Sequence, residues 1–139
     1  MTDLNAAIYD YLAATTAVTN LVGTRIRPDL LDDRDQLPAL VFWRVSGRHL
    51  DTIQGTFGRL VEARVTIEAY AAKRSKANEV AEAVRLAIIQ MRGTRSGVSV
   101  RNVSCDTGQS HYVNLPTDGT EVARYVASQD FLITFLEDV

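Results

Sequence analysis

Residues Leu60–Ala71 alternate without interruption: Val61, Ala63, Val65, Ile67 and Ala69 project one way, and Glu62, Arg64, Thr66, Glu68 and Tyr70 the other. Successive side chains on a strand point to opposite faces, so this pattern packs a core on one side and leaves the other to solvent or a partner. A slip of one residue would turn the whole apolar set outward, which pins the register. The preceding segment is denser. Pro38 leads into Ala39–Ser46, where Leu40, Val41, Phe42, Trp43 and Val45 read as a strand with both faces partly covered. Phe42 and Trp43 must face opposite sides, so one of them packs under a helix or lies at a subunit boundary. The polar stretch Gly47–Arg59, with Gly47, Gly55 and Gly58 as turn formers, reads as a long hairpin connection between the two strands.

Helical periodicity flanks this pair. Residues 2–14 read as an amphipathic helix capped by Thr2 or Asp3, with Leu4, Ile8, Tyr11 and Leu12 on one face. Val18, Leu21 and Val22 predict a second short turn ended by Gly23, and Arg25–Arg27 a brief edge strand stopped by Pro28. Asp29–Asp35 reads as an exposed acidic loop. Ser75 is expected to cap the main helix, about residues 76–92, whose apolar stripe is Ala77, Val80, Ala81, Val84, Ile88 and Met91, with a Glu82–Arg85 pair in support and Gly93 at its end. Val98–Cys105 and Glu121–Leu136 supply two more strands. Between them, Asp106–Thr120 carries two glycines and Pro116 and reads as a loop that is mobile or ordered by a partner. The expected fold is one α+β domain over residues 1–139: an antiparallel β-sheet packed against a long α-helix, with an N-terminal helix.

The bulk numbers narrow the function. A chain of 139 residues is the size of one domain and buries enough surface for one core. Its net charge of −2 gives no overall field toward nucleic acid or an anionic membrane. One cysteine, Cys105, excludes an intrachain disulfide and a cysteine-rich zinc site. The N-terminus lacks the basic and apolar blocks of a signal peptide, and no apolar run reaches the ~20 residues of a membrane span, so synthesis in the cytoplasm is expected. Thirteen of the fifteen basic residues are arginine, which favours planar contacts across interfaces, although genome base composition produces the same bias.

Catalytic constellations are missing from the pattern. His49 and His111 both fall in polar loops, with no ligand partner at helical spacing. No Gly-x-Ser-x-Gly nucleophile elbow occurs, and no phosphate-binding glycine loop ending in Lys. Asp106 beside Cys105 discourages a thiolate, so a structural thiol is expected. Gly55-Thr-Phe-Gly58 lacks internal basic residues and reads as a turn. Glu62, Arg64 and Glu68 share one strand face, either as a solvated charge pattern or as an inter-subunit ion-pair network. No enzyme activity, cofactor or metal is expected.

Several blocks taken in order resemble the tail-completion (tail-terminator) family of long-tailed bacteriophages and prophages: Leu21-Val-Gly-Thr-Arg-Ile-Arg-Pro-Asp29, Leu37-Pro-Ala-Leu-Val-Phe-Trp-Arg-Val-Ser-Gly47, Asp51-Thr-Ile-Gln-Gly55, Ala63-Arg-Val-Thr-Ile-Glu-Ala-Tyr-Ala71 and the Ala/Val helix after Ser75. Residues 94–120 carry no matching block. The resemblance implies a structural virion protein made in the host cytoplasm. It implies a ring, a homohexamer, that caps the tail tube, ends tail polymerisation and joins the tail to the head connector, with a channel through which DNA passes without sequence-specific binding. The expected partners are further copies of the chain, the tail tube protein and the neck protein. The two polar projections expected to reach them contribute Arg48, His49, Asp51, Gln54, Phe57 and Arg59 from the first and His111, Tyr112 and Asn114 from the second, with Glu62 and Arg64 alongside. The alternatives are a head-completion or adaptor protein of the phage neck, and a non-phage ligand-binding α+β module with a concave pocket.

Overall fold

A computed structural model describes residues 4–29, 36–50, 60–95, 97–105, 110–114 and 123–137. The elements run α1 (Leu4–Ala13), α2 (Thr16–Val22), β1 (Ile26–Pro28), β2 (Ala39–Leu50), β3 (Leu60–Ala71), α3 (Arg74–Ile88), β4 (Gly93–Arg95), β5 (Val98–Cys105), β6 (Ser110–Asn114) and β7 (Arg124–Glu137). The strands form one sheet in the order β1-β2-β3-β7-β5-β4, and β6 also pairs with β7. Among the described residues no helix is long and apolar enough to cross a membrane.

The α+β class stands, with two differences in detail. First, the sheet is mixed, because β1 pairs parallel to β2. A tight hairpin would force antiparallel pairing, whereas the ten residues 29–38 between Pro28 and Ala39 bring the chain back to the starting end. Asp29 N–H donates to Phe42 C=O at 2.8 Å and Leu40 N–H to Arg25 C=O at 2.9 Å, closing the short parallel ladder. Second, α3 is a helix of ordinary length, Arg74–Ile88, rather than a long one over 76–92. Lys73, not Ser75, occupies its N-cap. Its last turn tightens as Gln90 N–H bonds Ala87 C=O and Met91 N–H bonds Ile88 C=O. Tyr11 Oη donates to Ala87 C=O at 2.7 Å and Arg92 Nη1 to the Ile89 and Met91 carbonyls, which satisfies acceptors that another helical turn would have used.

The apolar stripes decide the packing. Leu4, Ala7, Ile8 and Leu12 of α1 and Ala77, Val80, Ala81, Val84 and Ile88 of α3 are buried, at helical spacing, against one face of the sheet. That face presents Leu40 and Phe42 of β2, the expected alternate set of β3, and Ala127, Phe131, Ile133 and Phe135 of β7. Gly23 closes α2 at φ 59°, a conformation that an L side chain rarely adopts, with its N–H on Thr19 C=O. Phe42 is the core partner of the adjacent aromatics. Trp43 lies on the other face, in a small cluster with Ala39, Val41, Leu37 and Tyr70. No helix packs over that outer face among the described residues; it is where the candidate site is found.

Two expected loops are partly strand. Gly47–Leu50 continues β2, whose ladder with β3 runs down to Leu50 opposite Leu60. Ser110–Asn114 is β6, paired with Ser128–Arg124 of β7. β6 therefore lies along the same edge of β7 as β5, further down the strand.

Candidate assembly surface

The outer face is built by the half of the alternation that does not enter the core. Glu62, Arg64, Thr66, Glu68 and Tyr70 of β3 stand between their neighbours on β2 and β7, and each meets a specific partner. Arg48 lies directly opposite Glu62, and its Nε is 3.3 Å from Glu62 Oε1. The Arg48 side chain is 72% exposed, so this pair contributes little to folding and is available to a neighbour. Arg64 Nη1 donates to Asp130 Oδ2 at 3.0 Å, and Thr66 Oγ1 donates to Asp130 Oδ1 at 2.8 Å. Ser46, Gly47, Arg48, Glu62, Arg64 and Leu132 line a shallow groove of about 260 Å³ between these pairs.

Toward the other end of β3 the carboxylate of Glu68 is buried, at 7% exposure, and both of its oxygens accept a phenol: Oε1 from Tyr70 Oη at 3.1 Å and Oε2 from Tyr112 Oη. Burial, more than the neighbouring carboxylate, raises the Tyr70 phenol above its ordinary value, and the same two causes raise Tyr112 further. Tyr112 thus ties β6 across β7 to β3. Its own side chain remains partly exposed; Val113, on the opposite face, and Val45, at the bulge of β2, are exposed as well. Arg44 takes the core side. Its guanidinium lies 5.9 Å from the centre of the Phe135 ring, and a Cβ on Gly47 would fall 1.9 Å from its Nη2, so the absence of a side chain at 47 opens that route.

The structure brings Arg48, Glu62 and Arg64 to one groove, adds Asp130, which pairs with Arg64, and sets Glu68 apart from them. Tyr112 belongs to a second cluster with Glu68 and Tyr70. His49 and His111 are exposed on strands rather than in loops. They do not converge: His49 is level with Phe135 through Val61, whereas His111 pairs with Ala127, eight residues away on β7 or about 26 Å at strand spacing. Asn114 ends β6 opposite Arg124. Asp51, Gln54, Phe57 and Arg59 lie outside the described residues. Sequence reasoning missed Asp130 and the Glu68–Tyr112 contact, since no local pattern links residues 66 and 44 positions apart. Cys105 is half-buried at the end of β5 and packs against the core. Among the described residues no group of three or more His, Cys, Asp and Glu is placed to hold a metal ion.

Paired guanidinium and carboxylate groups, with aromatic residues beside them, thus lie on a sheet face that no described helix covers. Residues 6–114 match the family model described as Tail completion protein gp17, and the chain belongs to that family. It is thus a structural protein of the bacteriophage tail, and its place is the virion. The fold is similar to a chain from the virion of a native gene transfer agent particle, with a TM-score of 0.63, 16% identity, and coverage of 95% of this chain and 94% of that one. No curated protein sequence shows significant similarity to it.

Proposed function

We propose that residues 1–139 act as one domain that closes into a ring, a homohexamer, on the finished tail tube. The ring's lower face matches the tube end and blocks further tube subunits, while its upper face presents a new surface to the head connector. DNA passes through the central channel. The chain's weak net charge suits that passage, because strong basic contacts would hold DNA back. The reading is carried by the match of residues 6–114 to the tail-completion family, a span that contains the contact residues expected from the sequence, though not Asp130 of β7.

Within the ring we assign the outer sheet face to contacts between copies or with the tube, through Arg48, Glu62, Arg64 and Tyr112. His49 and His111 lie in register with Val61 and Ala127, on the helix side of the sheet, and would reach a neighbour from there. Asn114 ends β6, and Asp51, Gln54, Phe57 and Arg59 extend the set. Arg48→Glu tests the assignment. It places like charges where Arg48 and Glu62 now lie 3.3 Å apart, at a position too exposed to unfold the chain. The variant is expected to keep the wild-type circular dichroism and thermal midpoint while phage carrying it make overlong, unjoined tails. Normal tail lengths and normal head joining in that variant would remove this face from the assembly.

A further inference from the structure

Among the described residues, the two edges of the sheet leave complementary stretches of backbone without a strand beside them. On one side β1 accompanies β2 only as far as Phe42, and no described strand continues beyond it, although β2 runs on to Leu50. On the other side β4 covers only Val98–Val100 of β5, and Arg101–Ser104 has no described strand outside it. Uncovered edges are templates for another chain unless they are guarded. Each edge carries one such guard, a bulge between Arg44 and Ser46 on β2 and between Val100 and Asn102 on β5. Past these bulges both strands are regular.

The regular stretches lie level with one another. Ser46 pairs with Arg64, Arg64 with Leu132, and Leu132 with Ser104. Two residues further, Arg48 pairs with Glu62, Glu62 with Thr134, and Thr134 with Asn102. Both rows cross the outer face from edge to edge, and all four end residues (Ser46, Arg48, Asn102 and Ser104) are exposed. The three successive pairings between β2 and β5 are antiparallel, so the two edge strands run in opposite directions. A second copy set beside the first therefore brings its β5 antiparallel to β2, level with it and with the same face outward.

We infer that copies of this chain join head to tail by pairing Ser46–Arg48 of one with Asn102–Ser104 of the next, so that the sheet continues from subunit to subunit. This rests on the ring reading and specifies its contact: two different edges meet, which makes the interface heterologous and able to close into a ring. A ladder this short is weak alone and forms effectively only when several contacts are made together, which fits assembly on a tube end.

The test exploits two serines. Ser46→Cys and Ser104→Cys are combined in a Cys105→Ala background, so that no native thiol competes. Neighbouring antiparallel residues stand about 4.5–5.5 Å apart at Cα, within disulfide reach. Light scattering, with and without tail-tube polymers, first establishes whether the protein is assembled. Oxidation of the assembled double variant is expected to give a ladder of covalent multimers on a non-reducing gel. An equal mixture of the two single-cysteine variants is expected to stop at two linked chains, and neither single variant alone should cross-link. Assembled protein without inter-chain disulfides would overturn the edge pairing while leaving the ring intact. Cross-linking of Ser46→Cys with itself would overturn it in favour of a two-fold contact. A chain that stays monomeric even on tube ends would overturn both the pairing and the ring.

Discussion

Tyr112 shows what a single side chain does in this fold. It sits in a segment whose glycines and polar residues read as a loop, yet its phenol reaches 44 positions back to Glu68 and holds β6 on the sheet. The raised phenol values of Tyr70 and Tyr112 carry a stability consequence. A group whose value is higher in the folded than in the unfolded chain stabilises fully below its unfolded value, here about 10, and loses that contribution as pH rises. The unfolding midpoint should therefore fall above about pH 10, and Tyr112→Phe should flatten that fall. At pH 7 the same variant should lose about 1 kcal/mol, the worth of one partly exposed bond to a carboxylate, in a urea titration. An alkaline limb identical in wild type and variant would show that the clasp does not form. At position 47, Gly47→Ala should displace the Arg44 guanidinium from Phe135 and cost little stability, since only the tip of a long side chain must move. Loss of more than about 1 kcal/mol there would show that the backbone itself is crowded.

At the scale of elements, periodicity was the readable signal and its limits are physical. The alternation of β3 predicted its apolar buried set, Val61, Ala63, Val65, Ile67 and Ala69, and the stripe of α3 predicted its own buried residues, because each is a local consequence of one packed face. The alternation did not predict that Thr66 and Glu68 on the other face of β3 are buried too. Where α3 stops was not legible, since its end depends on Tyr11, which lies 76 positions from the carbonyl it meets. The sequence presents β6 as loop because five residues among turn formers carry no period; their strand conformation comes from β7. The parallel direction of β1 likewise depends on where the chain returns. The core these elements share predicts a clear ranking: Phe131→Ala, at a fully buried ring between β7 and the helices, should cost about 3–5 kcal/mol in chemical denaturation. Gln129 makes a sharper case. Its Nε2 donates to Ala81 C=O at 2.8 Å, while its buried Oε1 has no partner among the described residues. Gln129→Met should therefore change stability by less than about 1 kcal/mol, because the loss of one bond is offset by removing an unsatisfied acceptor. A loss as large as that of Phe131→Ala would mean that the amide secures α3 to the sheet.

For the whole molecule, the asymmetry of the sheet links fold to function. Helices seal one face, and among the described residues none covers the other, where the Arg48–Glu62 and Arg64–Asp130 pairs lie, as suits a subunit that acts through neighbours. Sequence read this division directly from the alternation of residues 60–71, and the family likeness from the ordered blocks around it. It could not show which distant residues complete the outer face, because Asp130 and Tyr112 arrive there through β7 and β6. The most direct measurement is to mix the purified protein with purified tail-tube polymers and image the tube ends by negative stain while following elongation. The account predicts ring density at one end only, with growth halted there. Bare ends, with tubes elongating as they do without the protein, would contradict it.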